Sequence, residues 1–264
     1  MATSGATAAA GGVDLADQHA RQRSADGWFM GRHQPAPDAY VVDVGCGSGE
    51  FTARLAEMVP GGRVVGVDPD EAVLASARTR QRPNLRFVRG RVQDLYLAVP
   101  PCGVDLLVSR AMFHWLPLVE YPRCYTAAFT VLRPGGWLHA ESGGAGNIRR
   151  VVELLDAVAA DWGLPPARVT QPDAGTVHDL VAEAGFEIPA GGVLTVAQRC
   201  PFDRDGLLRF LRAQGTAAYL TGAGADVSRG FWQAVTGRLD ELANPDGTYD
   251  QTFVRLDVLA RRPA

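Results

Sequence analysis

Lysine is missing altogether from this 264-residue chain: all 26 of its basic side chains are arginines, and they are dispersed. No phosphate-gripping lysine and no basic cluster exist, so a phosphate-binding loop of the P-loop kind and the electrostatic footprint of a nucleic-acid binder are both excluded. The formal net charge of −3 agrees. Cysteine is scarce as well. Cys46, Cys102, Cys124 and Cys200 stand without CxxC pairing or metal-ligand spacing, which reads as reduced thiols in a cytoplasmic protein. His19, His33, His139 and His178 show no ligand spacing, so no metal is expected. No apolar run approaches bilayer length, and residues 1–18 have neither a basic start nor a sustained apolar stretch, so neither a membrane partner nor a signal peptide is expected. No Ser-His-Asp order or paired-acid motif stands out. What remains is a globular composition, 47% hydrophobic and 21% charged, long enough for one large α/β domain or one domain with a lid.

The chain is organised around YVVDVGCGSGEFT, Tyr40 to Thr52. The apolar run Tyr40 to Val44 predicts a short buried strand, and Gly45, Gly47 and Gly49 predict a tight turn into a helix beginning near Ser48. Glycine suits such a turn because the backbone takes positive φ or lets a ligand come close, leaving peptide N–H groups to face that ligand. A dinucleotide fingerprint has its third glycine three residues after the second. Here that position is Glu50, a carboxylate where a phosphate would sit at the helix N-terminus, and the pattern is G-x-G-x-G with Asp43 ahead of it. An ordinary strand-to-helix connection is the plain alternative for such a turn taken alone.

Further strands are predicted at Arg63 to Val67, Leu85 to Arg89, Val104 to Val108 and Trp137 to Glu141, with a last one at Phe253 to Ala260. Asp68-Pro69 follows the second strand about 20 residues beyond the glycine turn, where an acid accepts hydrogen bonds from ribose hydroxyls. Asp68 would alternatively cap the helix Glu71 to Arg80. Cys46, inside the turn, is read as a small side chain beside the ligand. His114 is the histidine whose context suggests chemistry, either as a proton acceptor or as a pocket-wall group that orients the substrate.

Five ordered stretches resemble class I S-adenosylmethionine (SAM) dependent methyltransferases, nearest to their trans-aconitate methyltransferase-like branch. They are VVDVGCGSGEFT, VVGVDPDEAVLASAR (Val64 to Arg78), LRFVRGRVQDL (Leu85 to Leu95), VDLLVSRAMFHWL (Val104 to Leu116) and VLRPGGWLHAESGGAGNI (Val131 to Ile148). The resemblance implies a doubly wound, Rossmann-like α/β fold, with seven mostly parallel strands, helices on both faces and a helical cap. Residues 1–12 read as a disordered small-residue tail, and the resemblance implies lid helices at 13–39, a SAM-binding core at 40–147, a cap helix and linker at 148–175, a core helix and strand at 176–200, a helical cap at 201–248 and a last strand at 249–264. A small-residue loop is expected at 215–225.

The implied SAM contacts are Asp43, Gly45, Cys46, Gly47, Asp68, Pro69, Arg91, Val92 and Ser109. The family usually has an acid where Arg91 stands. Arginine accepts no hydrogen bond, so adenine would rely on the backbone of Val92, on stacking by Arg91, or on Asp94. His114-Trp115 matches a pair frequent in this branch. Arg110, Trp115 and Asn147 are candidates to meet the acceptor, with Arg149 as a second candidate partner for an acid and Asn147 alternatively capping the helix Ile148 to Trp162. The expected activity is methyl transfer to an oxygen, carbon or nitrogen of a small metabolite, by a monomer or homodimer. The alternatives are a methyltransferase-fold protein that no longer methylates, such as a cyclase or SAM-binding regulator, and a nicotinamide-dependent oxidoreductase.

Overall fold

The computed structural model describes residues 27–167 and 169–264, apart from the side chains of residues 214, 216 and 217. The tail expected at 1–12, and the lid helices expected at 13–39 as far as residue 26, lie outside them. Residues 27–32 are helical. Two compact units divide the chain, one containing the sheet-forming stretches 33–147, 169–198 and 253–264, the other containing 148–167 and 199–252.

Seven strands form one sheet: β1 (Tyr40–Val44), β2 (Arg63–Asp68), β3 (Leu85–Arg89), β4 (Val104–Arg110), β5 (Leu132–Gly143), β6 (Val193–Cys200) and β7 (Gln251–Arg261). Their order is β3-β2-β1-β4-β5-β7-β6. β1 to β5 pair in parallel and β7 runs antiparallel to β5, which is the mostly parallel doubly wound sheet expected. All five residues of β1 are buried, as a central parallel strand covered on both faces requires. One face carries Val42, Val44, Val65, Val67 and Leu138. It packs on Tyr121, Cys124, Tyr125, Ala128 and Val131 of helix α3 (Tyr121–Val131) and on Val177 and Val181 of α5 (Ala174–Glu183). Strand order reverses between β1 and β4, so a crevice opens at their carboxyl ends.

Two local readings change. β5 starts at Leu132, not Trp137. Val104 pairs with Leu132 and Leu106 next pairs with Trp137, so Arg133-Pro134-Gly135-Gly136 is a bulge within the strand, with Gly135 at φ 75°. Helix α2 (Glu71–Ala77) is capped by Asp70, whose carboxylate accepts from the N–H groups of Ala72 and Val73; Asp68 is left for another task.

The other unit is helical, with α4 (Arg149–Asp161), α6 (Arg204–Tyr219) and α7 (Ala225–Arg238). The loop expected from Gly215 begins only after Tyr219. Gly215 lies against the Trp232 ring, where an added Cβ would come within 3.0 Å, so the small residue serves helix packing. Gly230 makes way for Trp162 in the same manner. Tyr219 stacks on Phe231, and Phe202 sits beside Phe210; these aromatics make the unit's own core. Among the described residues, no helix is long and apolar enough to cross a membrane.

Candidate functional site

The glycine turn leaves β1 and enters α1 (Glu50–Met58) with Gly45, Gly47 and Gly49 at φ 74°, 53° and 79°. The three glycines have different reasons to be there. A Cβ on Gly45 would lie 2.4 Å from Met112 Cγ, and one on Gly49 would lie 2.6 Å from the Phe87 ring. A Cβ on Gly47 would meet nothing within 4 Å. Gly47 thus faces open space, the position a ligand takes when the backbone must be bare beneath it.

The turn's N–H groups do not wait for a ligand as expected. Gly45 and Cys46 both donate to the Val67 carbonyl, Gly49 donates to the Cys46 carbonyl, and Gly47 donates to Asp68 Oδ2 at 3.0 Å. A cradle for pyrophosphate needs those donors outward. Their use inside the fold, and the Asp68 carboxylate among them, make the turn inhospitable to a diphosphate. Asp68 Oδ1 also accepts from the Asp70 N–H at 2.9 Å, which fixes its plane at the tip of β2 and leaves lone pairs on both oxygens. Pro69, next to it, is exposed.

Asp43 lies buried under the turn and accepts the Thr52 hydroxyl at 2.7 Å. Burial is the main reason its pKa is pushed up to about 7, and the nearby Asp68 adds to the shift. Cys46 is buried. Its Sγ would lie 3.0 Å from a Cβ on Gly66, and burial pushes its thiol pKa well up, so it packs as a small inert group. Ser109, next to last in β4, donates its hydroxyl to the Val44 carbonyl at 2.9 Å. After Arg110 the chain turns sharply through Ala111 at φ 54°, a left-handed conformation costing about 1–2 kcal/mol for a residue with a Cβ. That turn sets Met112 against Gly45 and sends Phe113–Trp115 across the strand ends.

His114 is held at both its backbone and its ring. Its carbonyl accepts from the Thr170 N–H at 2.8 Å, and Nδ1 accepts from the Gly143 N–H at 3.4 Å. This assigns the ring proton to Nε2. Burial and the Arg255 charge lower its pKa to about 4, so the ring is neutral near pH 7. Trp115 rests tilted against it, ring centroids 5.2 Å apart, and is partly exposed.

Four residues of the neighbourhood were not anticipated. Glu141, 2% exposed, lies 3.7 Å from Arg110 Nη2 and 3.7 Å from Arg255 Nη1. His139 Nε2 lies 3.2 Å from Asp257 Oδ2, both fully buried. One signal for them was present: Arg255 and Asp257 interrupt the apolar run FVRLDVLA at alternate positions, which in a strand puts both on one face.

Arg91 and Asn147 have partners of their own within the fold. Arg91, with a side chain 61% exposed, reaches Glu120, and Asp94 is paired with Arg123. Val92 is buried beside them. Asn147 does not cap α4. The N-cap is Ile148 at φ 42° with no side-chain cap bond, and Asn147 Oδ1 accepts the Val254 N–H at 3.0 Å, tying the end of β5 to β7. Arg149 is exposed on α4, in the other unit. No group of three or more metal-ligating side chains occurs among the described residues.

A methyltransferase-domain family matches residues 41–136, from the first strand to the bulge in β5. The chain is 33% identical to a trans-aconitate 2-methyltransferase of Deinococcus radiodurans over 239 residues, 86% of this chain and 88% of that protein. It is 29% identical to the enzyme of the same name from Variovorax paradoxus, over 87% and 90% of the two chains. The fold is shared with a geranyl diphosphate C-methyltransferase from Streptomyces coelicolor A3(2), solved with S-adenosyl-L-homocysteine, at TM-score 0.56 and 18% identity over 94% of this chain and 82% of that one. With a relative this similar along nearly its whole length, the chain belongs to the class I SAM-dependent methyltransferases, in their trans-aconitate methyltransferase-like branch.

Proposed function

We propose that SAM lies over Gly45–Gly49 with its ribose on Asp68 and its cationic end above Asp43, and that the methyl goes to a carboxylate oxygen of a small organic acid. The observation that carries the reading is the inward commitment of the turn's N–H groups together with the bare face of Gly47. A nucleoside without a diphosphate suits that surface, and the outward lone pairs of Asp68 suit its sugar. Arg91 offers the adenine no acceptor, so the base would be held by backbone near Val92.

When bound, SAM supplies a methyl carbon on a positively charged sulfur, which an acceptor oxygen takes as the carbon–sulfur electron pair returns to sulfur. A carboxylate oxygen needs no deprotonation, and the ester and thioether products are neutral at the atoms that reacted. The chain's residues therefore have to bind, orient and exclude water, which is where most of the rate can come from. His114 fits this division. With Nδ1 engaged and its proton on Nε2, it donates to an acceptor oxygen and has no free nitrogen with which to take a proton. The acidic acceptor is supported by the name of the relatives.

Calorimetry should give micromolar binding of SAM, about −8 kcal/mol, and no heat with NAD. Asp68→Ala should weaken SAM by roughly 1.5 kcal/mol, about tenfold, through loss of a charged acceptor. An unchanged affinity would remove Asp68 from the site. With labelled SAM and trans-aconitate, mass spectrometry should find a methyl ester. Normal SAM binding with no methylated product from this or other small acids would favour the reading in which the fold no longer methylates. His114→Ala should raise KM for the acid about tenfold while kcat falls less than about threefold; a kcat loss of about 10²-fold or more would make His114 the base after all.

A further inference from the structure

β5 lies between a parallel neighbour, β4, and an antiparallel one, β7. Register sets Arg110 opposite Glu141, Asp257 opposite Glu141, and Arg255 opposite Gly143. Opposed residues, and residues two apart along a strand, share a face of the sheet. Arg110, His139, Glu141, Arg255 and Asp257 therefore stand together on one face, at the strand ends that also carry His114. The contacts agree: both guanidinium groups approach Glu141, and His139 approaches Asp257.

The two arginines are not equivalent. Arg110, 10% exposed, lies over the Phe51 ring at 5.1 Å and is enclosed. Arg255 is 26% exposed and is the charge that bears on His114. Both reach Glu141 at ion-pair distance, outside the range of a well-made hydrogen bond, and Glu141 Oε2 is buried with no hydrogen-bond partner among the described residues. Glu141 is thus shared between the two guanidinium groups, and Asp257, beside His139, adds its negative charge near Arg110. Arg255 is the member with solvent access and a planar fork of donors that matches a carboxylate.

We propose that Arg255 is the specificity-determining residue of the acceptor site, receiving a carboxylate of the acceptor between its guanidinium and the Nε2–H of His114, while Arg110 remains the internal counter-ion of Glu141. The proposal rests on the methyltransferase reading only in taking the acceptor to enter beside His114. It assigns the recognition of the acid to β7, where Arg110 at the end of β4 had been an expected partner.

The test is calorimetry on protein loaded with S-adenosyl-L-homocysteine, titrated with trans-aconitate, citrate, succinate and benzoate and with the corresponding amides. At least one acid should bind the wild type, and its amide about tenfold more weakly or worse. Arg255→Gln should lower the affinity for that acid about tenfold or more, with Arg255→Lys intermediate because a point charge replaces the fork. Affinity for S-adenosyl-L-homocysteine should stay within about twofold in both, which shows that the variants are folded and that the nucleoside site is separate. The proposal is overturned if Arg255→Gln binds the acid within about twofold of wild type, if acid and amide weaken equally, or if no acid binds a wild type that still takes S-adenosyl-L-homocysteine. Failure of S-adenosyl-L-homocysteine to bind at all overturns the methyltransferase site itself, and this proposal with it.

Discussion

Glu141→Ala is expected to lower the stability of the protein by about 3–5 kcal/mol, because it strips a counter-ion from a buried guanidinium. Glu141 is 2% exposed and stands between Arg110 and Arg255. Without it, two positive groups face each other and Arg110 has little water to turn to. Relief of the like charge on Asp257, directly across the ladder, offsets part of the loss. In thermal unfolding followed by circular dichroism the melting temperature should fall by about 10 °C. The double replacement Arg110→Leu with Glu141→Leu should regain most of that loss, since a buried ion pair exchanged for apolar side chains of similar size is often neutral or stabilising. If the single and double variants melt together, the loss comes from packing and the ion pair contributes nothing of its own.

The same residues show where a linear reading reaches and where it stops. β1, β2 and β4 were legible because inner parallel strands covered on both faces are short apolar runs, and the G-x-G-x-G turn was legible because all three glycines take positive φ. Asp68 was singled out by its distance from that turn. Arg255 was not, since only the register of β7 on β5 sets it opposite Gly143, and registers are fixed by tertiary pairing. Helix α6 was cut short at Gly215 because glycine is a weak helix former by itself; its compensation, the close approach of Trp232, belongs to another helix. The reading of Asn147 as a cap failed for a similar reason. A cap is a local bond, and the partner actually taken, the Val254 N–H, comes from the far end of the chain. The turn's N–H groups were expected to face outward, and they turned inward to the Val67 carbonyl and the Asp68 carboxylate.

That inward turn also buries Asp43, and a pH dependence of cofactor binding follows. Asp43 has its pKa raised to about 7, chiefly by burial, against an ordinary value of 3.8. A raised carboxyl pKa means that the protonated form is the one the free fold prefers. Its contribution to stability is complete below about pH 4 and is lost as pH rises through about 7. In the proposed placement SAM would bring a net positive charge toward the end of β1, which favours the ionised carboxylate. Binding below pH 7 must therefore expel a proton, and affinity should rise about tenfold per pH unit between pH 5 and 7 and level off above. His114, held down to about 4, stays neutral through that window and adds no slope of its own. Calorimetry at pH 5.5, 6.5 and 7.5 in two buffers of different ionisation enthalpy measures both the affinity and the proton released. Asp43→Asn should flatten the profile and bind at pH 7.5 about as weakly as the wild type does at pH 5.5, because the amide keeps the shape and the Thr52 contact but cannot ionise. A wild-type affinity independent of pH, with no proton released, would place the positive end of SAM away from Asp43 and leave that carboxyl a purely structural support of the turn.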